Sequence, residues 1–165
     1  MKKSIILILT ALASLLIGNE LSGVAYFKYA TGDVNSTTDY NSHGFSLDRA
    51  YLTYKKDVAE GVSFTFQSDM QNKGEAFYMY IKNAKMDYKI AENTNLTIGL
   101  QGMNMFSTQE KTWGNRFLAK SGMDVNSWSS SADLGVGVYQ GFGDIYLSVL
   151  FTNGEGYKSK ATDNH

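Results

Sequence analysis

Charged and amide side chains recur inside segments that otherwise alternate between apolar and polar residues: Lys28, Arg49, Lys55, Asp69, Lys85, Asp87, Lys89 and Gln101. Successive side chains of an extended strand point to opposite faces, so these residues share the face opposite the apolar ones. Such groups need no covalent step to act. Fixed charges along a wet surface attract one sign of ion and repel the other, which is the chemistry of a filter for small polar solutes. In segments that cross a bilayer, charges of this kind are costly in lipid and belong on a water-filled lumen. Basic residues are in mild excess over Asp69, Asp87 and Asp133, which gives a mild preference for anions.

A second charged group, Glu110, Arg116, Lys120 and Asp124, surrounds Trp113 in the long connector Asn104–Ser130. Loops beyond roughly 12–15 residues are usually functional or disordered. Ser107 followed by Glu110 has the spacing of a capping box, Trp113 and Phe117 stand four apart, and Gly122 can end a helix, which predicts a short helix over Thr108–Lys120. Bent inward, this loop narrows a lumen and its charges set selectivity at close range. Packed on the rim through Trp113 and Phe117, it stays outside; both placements fit the residues.

Covalent chemistry has little to work with. The two histidines, His43 and His165, lie far apart in sequence and near no nucleophile elbow or zinc-binding helix, so the chain reads as a non-enzyme without cofactor or metal. Cysteine is absent, which removes disulfides and thiolate metal sites. Asp124, Asp133 and Glu155 could together hold calcium between loops, although no EF-hand spacing is present. A net charge of −1 offers no basic field for nucleic acid.

The elements that must position the charges follow an apolar leader. Lys2 and Lys3 precede a run from Ile5 to Ile17 that is shorter than the roughly 20 residues of a spanning helix, so residues 1–20 read as a signal peptide and 21–165 as the exported part. Seven alternating segments come next: Leu21–Thr31, Phe45–Lys56, Val62–Gln71, Tyr78–Ile90, Leu96–Met103, Ser131–Gln140 and Asp144–Thr152. Most are near the roughly 9–11 residues that a tilted strand needs to cross a bilayer. The absence of proline suits long paired strands.

The connectors alternate between tight (Asp57–Gly61, Ala91–Asn95, Gly141–Gly143) and longer or more polar (Gly32–Gly44, Asn72–Phe77, Asn104–Ser130 and the stretch after Asn153). Outer-membrane barrels place short turns at the periplasm and long loops outside. The pattern therefore predicts an all-β, antiparallel, up-and-down transmembrane barrel in the outer membrane, with aromatics such as Phe45, Phe77, Tyr78, Tyr88, Phe106 and Phe142 near the lipid interfaces. An odd strand count does not close such a barrel, so the chain reads as the N-terminal part of a longer one.

Three stretches, Phe45-Ser-Leu-Asp-Arg-Ala-Tyr-Leu52, Ser131-Ala-Asp-Leu-Gly-Val136 and Asn153-Gly-Glu-Gly-Tyr157, resemble the phosphate-selective porin (porin O and P) family of Gram-negative outer membranes. The resemblance implies a channel of about sixteen strands, usually trimeric, of which roughly half is present. It departs from the family pattern at Asp48, where basic residues are common, and at Gly102–Phe106, where prolines are common. The family's phosphate selectivity depends on a ladder of Arg and Lys, and the residues above form only a mild excess. The expected function is passive diffusion of small hydrophilic solutes or anions through a wall bounded by lipid. The alternatives are a small outer-membrane barrel that adheres or binds through its loops, and a soluble exported β-sandwich that binds a ligand.

Overall fold

A computed structural model describes residues 20–30, 44–73 and 76–159. The expected signal peptide up to residue 19, most of the first loop including His43, and the stretch from Lys160 to His165 lie outside the described residues. The strands are β1 (Leu21–Ala30), β2 (Gly44–Ala59), β3 (Val62–Lys73), β4 (Ala76–Ala91), β5 (Thr94–Gly102), β6 (Ala132–Phe142) and β7 (Ile145–Thr152). They form one seven-stranded sheet in sequential order, and every neighbouring pair is antiparallel. The all-β, up-and-down expectation therefore holds. Among the described residues β1 and β7 are the two edges of this sheet.

The ladders run further than the alternation suggested. β2 and β4 each hold 16 residues. At one end, three hairpins close through the two-residue turns Glu60–Gly61, Glu92–Asn93 and Gly143–Asp144. Gly61 and Gly143 take positive φ there (68° and 61°), which a residue without Cβ adopts without strain. The strict alternation of short and long connectors fails at the opposite end: Lys73 pairs with Ala76, so β3 and β4 are joined as tightly as the others. Asn72–Phe77 is polar enough to read as a loop, but ladder bonds use the backbone and continue through it.

The register skips one residue at Val58 and at Ile90 beside the tight turns, and two further bulges, away from the turns, reset the faces. In β2 the register skips Asp48, between Arg49 opposite Tyr26 and Leu47 opposite Phe27. In β4 it skips Lys82, between Asn83 opposite Gln67 and Ile81 opposite Ser68. Each extra residue moves the apolar series from odd to even positions: Phe45 and Leu47 give way to Ala50 and Leu52, and Met79 and Ile81 to Ala84 and Met86. One consequence is a correction. Tyr78 lies opposite Gln71 and shares the polar face, not the apolar one.

The loop after β5 folds as two helices, α1 (Asn104–Trp113) and α2 (Gly122–Val125). This replaces the single helix expected over Thr108–Lys120. Gly114 adopts a left-handed conformation (φ 66°) and ends α1 with its N–H bonded to the Glu110 carbonyl, so Phe117 lies beyond the helix. Gly122 begins α2 instead of ending α1. No side chain caps α1, and the Glu110 carboxylate pairs with Arg116 instead of closing a capping box. No helix among the described residues is long and apolar enough to cross a membrane.

Candidate functional site

The two faces of the sheet differ in composition and in what covers them. On β6, Leu134, Val136 and Val138 are exposed, whereas Asp133 and Gly137 between and before them are buried. β7 repeats the pattern, with Leu147, Val149 and Phe151 exposed (58, 75 and 84 %) and Ser148, Leu150 and Thr152 partly covered. The buried strand positions are chiefly polar: Thr65, Ser68, Asp69, Thr97, Gln101 and Asp133. Among the described residues the only buried hydrophobic side chains are Phe106, Met123 and Ala132. Burial is thus inverted relative to a water-soluble domain, where apolar faces turn inward.

The sheet bends toward its polar face. Tyr157 is bonded through its N–H to the Ala132 carbonyl of β6, and its hydroxyl donates to Asp69 Oδ2 on β3 at 2.9 Å. In a flat sheet strands three apart lie roughly 14 Å from one another, beyond the reach of a tyrosine, so the wall between them is curled. Gly99 and Gly135 face each other at the bend, and a Cβ on either would collide with the neighbouring strand's backbone, at Ala84 O and Phe151 O respectively.

Near one rim of this face the charges form a knot. Arg49 grips Asp69 through Nε–Oδ1 (3.1 Å) and Nη2–Oδ2 (2.9 Å), with Asp69 fully buried. Gln71 Nε2 donates to the same carboxylate, and Lys158 Nζ donates to Gln71 Oε1 at 2.8 Å. Beside it Lys82 lies 4.7 Å from the centre of the Tyr51 ring, a cation–π distance. Tyr157, in the segment after β7, is held protonated above its ordinary range, first by burial and then by the Asp69 charge. The Lys158 ammonium is pushed below its ordinary range, first by burial and then by the Arg49 charge.

Other expected residues form separate groups. Lys85 pairs with Asp87 at 2.9 Å, and Thr97 donates to Asp87. Lys28 pairs with the bulge residue Asp48 at 2.6 Å. Lys55 and Lys89 are exposed on the same face, and Lys89 joins Asp57, Asp87 and Asn95 around an open cavity of ≈ 610 Å³ at the Glu60–Gly61 turn. Gln101 shares the face but is covered, with Oε1 accepting from the Tyr139 hydroxyl at 3.2 Å.

The connector 103–131 lies over the polar face. Asn104 Nδ2 donates to Ser148 Oγ (3.0 Å) on that face of β7, and Arg116 is within electrostatic range of Tyr51 and Lys82. Phe106, expected at a lipid interface, is buried instead. Within the loop Arg116 bridges Glu110 (3.4 Å) and Asp124 (3.6 Å), Lys120 reaches Asp124 at 4.0 Å, and Trp113 Nε1 donates to the Ala119 carbonyl. All five residues expected at a constriction therefore lie in one folded unit. The calcium reading fails on partners: Asp133 accepts the N–H groups of Leu134, Gly154 and Gly156, and Asp124 faces two cations.

Two residues of this cluster escaped the sequence reading as candidates. Lys82 is placed by the β4 bulge, whose signal is the odd-to-even switch between Ile81 and Ala84. Tyr157 closes the third of the stretches that resemble the porin family, but nothing in the sequence marked its side chain, because its partners are remote in sequence. Comparisons with known protein families, curated proteins and solved structures return no match.

Proposed function

We propose that this chain builds part of the wall of an outer-membrane porin, with the apolar face against lipid and the polar face lining a water-filled path for passive diffusion of small hydrophilic solutes. The inverted burial carries this reading. A continuous apolar sheet face larger than a few hundred Å² is unusual on a water-soluble monomer, and the same face is at rest in hydrocarbon. A soluble β-sandwich would place Leu134, Val136, Leu147 and Val149 against a second sheet, and the described residues contain one sheet. Further strands that pair with the edges of β1 and β7 would complete the barrel. The resemblance to the phosphate-selective porin family supports the same reading, because its three matching stretches meet in one network: Arg49 holds Asp69, Tyr157 donates to Asp69, and Asp133 holds the turn before Tyr157.

Selectivity follows from which charges are cancelled. Arg49 is offset by Asp69, Lys28 by Asp48 and Lys85 by Asp87. No carboxylate lies within ion-pair distance of Lys55, Lys82, Lys89 or Lys158 among the described residues, and Asp57 and Asp133 are the carboxylates of the strands' polar face that no cation offsets there. The result is a mild preference for anions, with the loop cluster around Arg116 narrowing the path. Planar-bilayer recording of the complete protein tests this. Stepwise ohmic current with a reversal potential favouring anions is expected; a folded protein in the bilayer that passes no current rejects the channel.

A further inference from the structure

The segment 153–159 is stitched to the sheet at both ends of a short path. At β6, Asn153 N–H donates to the Leu134 carbonyl (3.0 Å), Gly154 and Gly156 N–H groups donate to the Asp133 carboxylate, and Tyr157 N–H donates to the Ala132 carbonyl (3.0 Å). Gly154 and Gly156 sit at φ 86° and 77°, and a Cβ on Gly156 would collide with Ser130 Oγ. This folding delivers the Tyr157 side chain across the polar face. Its hydroxyl donates to Asp69 Oδ2 at 2.9 Å and accepts from Gln71 Nε2 at 3.3 Å, and its ring meets Tyr80 edge-on at 6.4 Å. Lys158 adds its bond to Gln71. The segment therefore joins β6 to β2, β3 and β4 without following the ladder.

From this geometry we infer that 153–159 is a brace across the polar face, with Tyr157 as the positioning residue that fixes the curl of the wall and so the width of the path beside it. The inference about width rests on the channel reading above; the brace itself does not. Ladder bonds alone permit a range of curvature, because neighbouring strands twist relative to one another over a wide range of angles. A direct tie between β6 and β3 selects one value. The same hydroxyl also adds to the bonds that Arg49 and Gln71 already make to buried Asp69, so the brace ends on a carboxylate that is itself held in place.

The absence of native cysteine allows paired spin labels at Asn72→Cys and Ser159→Cys in the complete protein, both positions being exposed. In vesicles, the label-to-label distance should be short and narrowly distributed. Tyr157→Phe should shift it outward and broaden it, and Gly156→Ala should do the same from the other end. Tyr139→Phe, which removes a hydroxyl bonded to Gln101 on the same face, should leave it unchanged. Open-channel noise and mean conductance should rise in Tyr157→Phe but not in Tyr139→Phe. A folded Tyr157→Phe protein with an unchanged distance overturns the brace. A shifted distance with unchanged conductance and noise overturns its control of width. If the unsubstituted protein passes no current, the channel reading falls, and the distances alone decide the brace.

Discussion

The apolar and polar faces of β6 and β7 are built from the same strands, yet they obey opposite burial rules. Leu134, Val136 and Val149 are uncovered, while Asp133 and Gly137 are buried and Ser148 is half-buried. The difference shows that secondary structure alone does not set which face is inside. Covering comes from side chains of neighbouring strands, as Gln101 and Tyr139 beside Gly137, and from the segments that return to the sheet, the connector 103–131 at Ser148 and the brace after β7 at Asp133. The stability of such a wall depends on satisfied polar groups on one side and on the surrounding medium on the other.

The comparison breaks most visibly when a charge is moved from one face to the other. Val136→Arg is expected to cost about 2–4 kcal/mol, the range for a basic residue at the lipid-facing midplane of a barrel. Thr53→Lys, on the polar face, should cost no more than its lost bond from Gln67, about 1 kcal/mol. Urea unfolding of the complete protein in lipid vesicles reads both. Equal costs on the two faces would remove the distinction.

Within the polar face, depth separates two ion pairs. Asp69→Ala strands Arg49, whose side chain is 11 % exposed, and should cost about 3–5 kcal/mol. Asp87→Ala leaves Lys85, about a quarter exposed, near water and unpairs the buried Thr97 hydroxyl, and should cost about 1–2 kcal/mol. The same unfolding measurement ranks them. Arg116→Ala should change stability by about 1 kcal/mol or less, because its pairs are partly exposed, yet move the reversal potential toward cations.

The smallest effect is one of pH. Lys158 gives up its proton below the ordinary lysine range, so its share of the anion preference should fade on the approach to pH 10.5 sooner than that of an ordinary lysine. The unfolded chain holds this proton more tightly than the folded one, so this group's contribution to stability rises with pH across that window. Reversal potentials measured from neutral to alkaline pH, with Lys158→Met as the control, check it: the substitution should flatten the early part of the change.

Much of the wall was legible in the residues. Alternation in Val62–Gln71 and Asp144–Thr152 identified strands and faces, because a period of two leaves each side chain only one side to occupy. Composition misled at Asn72–Phe77, where ladder bonds indifferent to side-chain polarity carried the strands to a tight turn. The bulges were written in the phase change of β4, but a single extra residue is easily absorbed into uncertain boundaries. Candidate residues on strands, such as Arg49 and Asp69, were readable from parity; their pairing followed from a register that parity alone does not fix. Tyr157 was visible only as the end of a resembling stretch; its contacts were beyond reach, since its partners lie 86 to 108 residues away and meet it only once the sheet curls.

Cysteine scanning along β7 tests the central claim most directly, since no native cysteine competes. In membrane vesicles holding the complete protein, single cysteines at Tyr146, Ser148 and Thr152 should react with a small water-soluble thiol reagent. Those at Leu147, Val149 and Phe151 should resist it, and fluorophores attached there should be quenched by brominated lipid. Water-soluble labelling of both sets at equal rates, with no lipid quenching at either, would contradict a wall with lipid on one face and water on the other.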